Sequence, residues 1–212
     1  GSYGYSTTLE NAIAYAQANN VILVASAGND GMGEITYPAR FDGVIGVAAI
    51  DTESQRAEFS NFSEDVDIAA PGVGVYAAWG EEKWTSFSGT SAATPFVAGG
   101  IAATLSLYPK LTPQEAVGIV LTYADDASAP GIDVNIGHGT LNMDRVLYRN
   151  QSGIADAALA DFYLDFEQAT ETTIPLMVTV QNRGTESLRS VSINLVQNEG
   201  QSQRIYLGQL VE

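Results

Sequence analysis

Val21-Ile22-Leu23-Val24-Ala25-Ser26-Ala27-Gly28-Asn29-Asp30-Gly31 decides the fold. Five consecutive apolar residues, rich in β-branched types, run into small residues and then a turn. A strand buried on both faces of a parallel sheet reads this way. Upstream, Ser6-Thr7-Thr8-Leu9-Glu10 opens a helix, with Thr7 and Glu10 at the spacing of a capping box. Leu9, Ile13 and Ala16 recur at helical spacing, and Asn19-Asn20 ends the element. Downstream, Val44 to Ile50 is a second buried strand, and Asp67-Ile68-Ala69-Ala70 is a third, stopped by Pro71-Gly72. From Thr90 to Leu107 small and helix-compatible residues predict a long helix, with Pro95 in or near its first turn, where a missing N–H costs little. Thr112-Pro113-Gln114-Glu115 is a near-ideal start for another helix. Helices alternating with buried strands predict an α/β domain built on a parallel sheet.

The 212 residues are 45% hydrophobic and 16% charged, enough to bury a core, so a globular fold is expected. The formal net charge of −16 argues against nucleic acid and against an anionic membrane surface as partners. There is no cysteine, which excludes disulfides and thiolate metal sites. No run of about 18 apolar residues stands out, so no membrane span is expected. Gly1 carries no initiator Met and no signal-peptide pattern, so the N-terminus reads as cut from something longer.

Near Gln151 the pattern changes to period two. Ile174, Leu176, Val178 and Val180 alternate with more polar positions, Asn182-Arg183-Gly184 signals a turn, and Val191, Ile193 and Leu195 alternate again. Residues 1–150 are therefore read as one domain. Residues 151–212 are read as the start of a partial antiparallel β-sandwich-like module, shorter than a whole sandwich of about 100 residues and expected to be truncated after Glu212.

Two stretches carry chemistry. In Gly89-Thr90-Ser91-Ala92-Ala93-Thr94-Pro95 a serine sits between a glycine-bearing loop and the first turn of a helix. Unpaired N–H groups and a partial positive charge there would stabilise an oxyanion formed when Ser91 Oγ attacks an acyl carbon. Thr90 and Ser91 read equally well as ordinary helix caps. In Ser26-Ala27-Gly28-Asn29-Asp30-Gly31 an asparagine follows a buried strand, where ligand sites of open α/β sheets lie. Taken alone, Asn29 reads as a turn residue.

Together, in this order, they resemble the subtilisin-like (subtilase) peptidases. Thr36-Tyr37-Pro38-Ala39-Arg40-Phe41, Phe59-Ser60-Asn61-Phe62-Ser63, Ile68-Ala69-Ala70-Pro71-Gly72 and Ser88-Gly89-Thr90-Ser91-Ala92-Ala93-Thr94-Pro95 are similar to successive landmarks of that family, and the resemblance runs from Gly1 to Leu147. It implies a serine endopeptidase with Ser91 as nucleophile, and the Asn29 amide and Ser91 N–H as oxyanion hole. Ser26, Ala27, Gly28, Gly89 and Thr90 would line the substrate cleft, with Phe87 near the leaving group. Where many members have Met after the nucleophile and His after the proline, this chain has Ala92 and Phe96.

The family's order of Asp, His, Ser implies that the first two precede Gly1. Residues 1–150 would then be the C-terminal part of an incomplete peptidase domain. The chain alone is expected to be inactive and marginally soluble, and its partners to be polypeptide substrates and its own N-terminal part. His138, in Gly137-His138-Gly139-Thr140, imitates the catalytic-His signature but follows the serine, and is read as a loop residue. The resemblance requires no cofactor and allows a structural Ca²⁺ on the carbonyls of Ala39, Phe41 and Val44. Asp125, Asp126 and Asp133 read as cation ligands or as solvated carboxylates. An extracellular setting is also implied. The rival readings are a pseudoprotease that binds peptides without cleaving them, and a surface-binding protein in which the β module does the work.

Overall fold

The computed structural model describes residues 1–127, 131–166, 168–170, 172–197 and 201–210. They form two compact units, Gly1–Val146 and Leu147–Glu212. Val211 and Glu212, where truncation of the module is expected, lie outside the described residues.

The first unit has a three-stranded parallel sheet in the order β1 (Leu23–Ser26), β2 (Val44–Ile50), β3 (Ile68–Pro71). β1 starts two residues inside its apolar run because the Val21 N–H still bonds to Ala16 O at the exit of α1 (Thr7–Ala18). All seven residues of β2 are buried. Its side chains alternate between two cores. Ile45, Val47 and Ala49 pack with Ala93, Val97, Ile101, Ala116 and Val120, while Val44, Ala48 and Ile50 pack with Ile13, Ala25, Ile35 and Phe41. Burying each Val or Ile contributes about 1.5–3 kcal/mol relative to exposure. Within the strand Gly46 has no room for a side chain, since a Cβ there would come within 2.6 Å of Asp65 O.

α1 is capped one residue earlier than expected. The Ser6 hydroxyl accepts the Leu9 N–H at 3.3 Å, which leaves Thr7 inside the helix and Glu10 bonded by the Tyr5 hydroxyl. The helix at Thr90–Leu107 (α2) is long and apolar enough to cross a membrane by length and composition alone. It is the core helix of this unit: it packs on all three strands and on α3 (Pro113–Thr122), with seven residues buried. Pro95 is its sixth residue, in the second turn, so the carbonyl of Ser91 loses its usual i+4 donor. α3 carries the expected capping box between Thr112 and Glu115. A hairpin of β4 (Val75–Ala78) and β5 (Trp84–Phe87) leads into α2, and a short α4 (Met143–Tyr148) follows the last loop.

The second unit holds two antiparallel pairs: β6 (Ala157–Leu164) with β7 (Leu176–Asn182), and β8 (Leu188–Gln197) with β9 (Gln201–Leu210). The Asn182-Arg183-Gly184 turn forms, with the Gly184 N–H on Asn182 Oδ1 at 3.1 Å. It joins strands of different sheets, so it is not a hairpin. β7 shows no clean alternation of burial.

Candidate active site

The loop after β1 and the start of α2 meet at the carboxyl end of the sheet. Gly89 makes this possible. Its φ of 154° suits glycine, and its N–H donates to Gly72 O at 2.8 Å, just beyond β3. It caps α2 without a side chain. The first N–H of the helix, from Thr90, donates instead to Asn29 Oδ1 at 2.8 Å, and the Thr90 hydroxyl donates to the same oxygen at 2.8 Å. The Gly28 N–H donates to that hydroxyl at 3.2 Å.

This fixes the Asn29 amide. A backbone N–H can only donate, so the atom facing Thr90 must be the oxygen. The Nδ2 end is left beside Gly89, and it has no hydrogen-bond partner among the described residues. The Ser91 N–H, second in the helix, is likewise without one, because the first helical bonds run from Ala92 and Ala93 to Gly89 O. One unpaired donor therefore lies beside Gly89 and a second on the exposed Ser91 itself, at the positive end of an 18-residue helix. That arrangement can hold an oxyanion.

Ser91 opens onto a cavity of about 380 Å³ lined by Val75, Ala77, Phe87, Pro95 and Phe96. A larger cavity of about 540 Å³, lined by Gln17, Val44, Ile45, Asp67 and Leu121, lies toward the amino ends of the strands and holds no nucleophile.

Ser91 and Asn29 come together through Thr90. Of the residues read as cleft-lining, Ser26 and Gly28 are half-buried, while Gly89 is buried. Ala27 and Thr90 have no exposed surface. Their side chains belong to the interior: Ala27 packs in the core, and Thr90 anchors Asn29. Phe87 is half-exposed beside Ser91. His138 lies at the other end of the sheet, where its N–H donates to Asp67 O at 2.8 Å. Desolvation there raises the Asp67 carboxyl above the ordinary carboxylate range, against the Gly46 N–H and His138, which lower it.

Each of the three acidic loop side chains has a partner within the protein among the described residues. Asp125 faces Arg145 at 3.4 Å, Asp126 accepts the Gly131 N–H, and Asp133 accepts two backbone N–H groups, from Asn135 and Ile136. No group of three or more acidic or histidine side chains is placed to hold a metal among the described residues. The carbonyl of Phe41 already accepts the Val44 N–H at 3.0 Å.

Two features escaped the sequence. The aromatic hairpin β4–β5 is one. The other is Asn61, fully buried, whose amide bonds the loop that carries Asn29. Its partners are about thirty positions away, and no local pattern signals such a contact.

The profile of the subtilase family matches residues 1–139. A thermostable alkaline protease of Halalkalibacterium halodurans is 46% identical over 112 residues, 53% of this chain and 31% of that protein. Subtilisin DY of Bacillus licheniformis is 37% identical over 143 residues, 66% of this chain and 51% of that protein. The match thus spans about half of these relatives' length or less. Among solved structures, the prenylagaramide maturation protease PagA superposes with a TM-score of 0.63 at 32% identity, over 72% of this chain and 59% of that one. A lanthipeptide protease shares the fold, with a TM-score of 0.63 at 23% identity.

Proposed function

Because this chain belongs to the subtilase family of serine peptidases, we propose that it supplies the nucleophile and oxyanion hole of a serine endopeptidase whose Asp and His come from sequence preceding Gly1. The observation that carries the reading is the pair of unpartnered donors, Asn29 Nδ2 and the Ser91 N–H, at the nucleophile's helix start.

In the proposed reaction Ser91 Oγ attacks the carbonyl carbon of a peptide bond and passes its proton to the histidine. The carbonyl oxygen becomes an oxyanion and takes hydrogen bonds from Asn29 Nδ2 and the Ser91 N–H. The intermediate collapses when the amine leaves with the proton held by the histidine, and the acyl group stays on Ser91 as an ester. Water, deprotonated by the same histidine, releases the acid and restores the serine. In a subtilisin, loss of the corresponding asparagine costs about 2.7–4 kcal/mol of transition-state stabilisation, a magnitude that belongs to that enzyme. Ser26 and Gly28 would bound the cleft before the scissile bond, and Phe87 the leaving-group side. The substrates are polypeptides, and the place of action is extracellular. Alone, residues 1–212 lack the base and are expected to be inactive.

The test uses the full-length gene product. It should hydrolyse casein and peptide anilides, and a sulfonyl fluoride should stop turnover by modifying Ser91, as located by peptide mass mapping. Ser91→Ala should lose both properties. Peptide binding without turnover or labelling would make the protein a peptide-binding scaffold instead.

A further inference from the structure

The loop that carries Asn29 has few bonds of its own. It is held from outside by residues 59–62. Asn61 is central: it has no exposed surface, and all four hydrogen-bonding positions of its amide are filled. Its Oδ1 accepts the N–H groups of Asp30 at 2.9 Å and Met32 at 3.1 Å. Its Nδ2 donates to the Tyr3 hydroxyl at 2.8 Å and to Ala27 O at 3.4 Å. Its backbone N–H donates to Gly28 O at 3.0 Å. Asn29 is thus bracketed, with the residue before it and the residue after it both bonded to Asn61. The neighbours of Asn61 add two more ties, from the Gly31 N–H to Phe59 O at 2.8 Å and from the Phe62 N–H to Met32 O at 3.0 Å.

From these contacts we infer that Asn61 is a positioning residue for the oxyanion hole: it sets the backbone at Asn29, and so the direction in which Nδ2 points. Thr90 fixes only the oxygen end of the Asn29 amide. The Cα–Cβ direction depends on the bonds to either side, and those run to Asn61. Only a carboxamide offers one oxygen for two N–H groups and two hydrogens for two acceptors. Asn61→Asp keeps the acceptor and loses both donors, and Asn61→Leu loses all four bonds. Gly28 accommodates the arrangement, since a Cβ there would come within 2.4 Å of Asn61 Nδ2. Tyr3 extends the network. Its hydroxyl takes the Asn61 hydrogen and donates to Asp30 Oδ2 at 2.6 Å, so the chain near Gly1 is tied to the same loop.

The role rests on the serine-peptidase reading, and a double-mutant cycle separates the two. In the full-length gene product, Asn61→Ala should lower kcat for a peptide anilide about tenfold with little change in KM, since small misplacements of a catalytic group carry losses of that order. In an Asn29→Ala background the same change should lower kcat less than about twofold, because the group it positions is gone. Equal losses in the two backgrounds, or no loss in the first, would overturn the role. Should Asn61→Ala fail to fold, Tyr3→Phe removes a single hydroxyl from the partly exposed end of the network. It should cost about threefold in kcat with Asn29 present and nothing measurable without it. Equal costs would again overturn the role. A parent inert both to peptides and to sulfonyl fluoride would overturn the reaction itself, and the positioning role with it. A parent that turns over, with additive variants, overturns the positioning role alone.

Discussion

Thr90 meets Asn29 twice on one atom, its backbone N–H and its hydroxyl both donating to Asn29 Oδ1 at 2.8 Å. The hydroxyl has a single proton, and the contact to Gly28 O at 3.4 Å is the longer one, so Asn29 takes it. Thr90 has no exposed surface. It is a support for the candidate oxyanion hole and not a wall of the cleft.

Thr90→Val keeps the shape and removes the hydroxyl. A neutral hydrogen bond contributes about 0.5–1.5 kcal/mol, so kcat of the full-length protein should fall roughly three- to tenfold with KM steady. Steady-state kinetics on a peptide anilide reads this. An unchanged kcat would mean that the Thr90 N–H alone holds the amide.

Ala92, next to Ser91, is buried and carries nothing that peroxide oxidises. Ala92→Met would put a thioether beside Ser91, where a sulfoxide would crowd and polarise the site. The variant should lose activity in hydrogen peroxide faster than the parent. Matched inactivation rates would show that another residue sets the sensitivity, and the half-exposed Met32 would be the first to replace.

His138→Ala should leave turnover within about twofold of the parent, because the residue lies at the opposite end of the sheet from Ser91. The backbone bond from residue 138 to Asp67 O survives the substitution. A folded variant without turnover would make His138 part of the chemistry and refute the assignment of the base to upstream sequence.

Glu115 accepts the Thr112 N–H at 2.7 Å and the Thr112 hydroxyl at 2.9 Å, and these bonds hold its carboxyl below the ordinary 4.5. The folded state then binds a proton less tightly than the unfolded chain. The resulting stabilisation is present above pH 4.5 and is lost as pH falls through the lower folded value. Thermal melts across this range should show the Tm gap between the parent and Glu115→Gln narrowing as the pH drops below 4.5. A gap that does not change with pH would remove the charge from the cap's contribution.

The sheet and its helices were legible because their signals are local. Val44 to Ile50 is apolar throughout, and all of it is buried. The box at Thr112 forms as its spacing predicts. The start of α1 differs from its reading because Thr7 and Glu10 have the spacing of a capping box, while the backbone puts the cap at Ser6, whose third residue is Leu9. The hairpin β4–β5 went unread. It carries its aromatics outward, with Tyr76, Trp79 and Trp84 each more than two-thirds exposed, so no buried face imposes alternation on the sequence. At the site, the residue types of Ser91 and Asn29 pointed to chemistry. The duties of Thr90 and Asn61 depend on contacts across the fold, which no neighbouring residue announces.

The parallel sheet carries a kinetic consequence. Neighbouring strands pair across about twenty residues of intervening chain, and Asn29 reaches Thr90 across 61 positions. Long loops must close before any of these contacts rewards the closure, so such a chain condenses slowly and offers bare strand edges meanwhile. If the parent is a peptidase, finished molecules will find those latecomers as unfolded substrate. Renaturation then becomes a race between closing loops and being digested, and its yield should fall as the concentration of active copies rises.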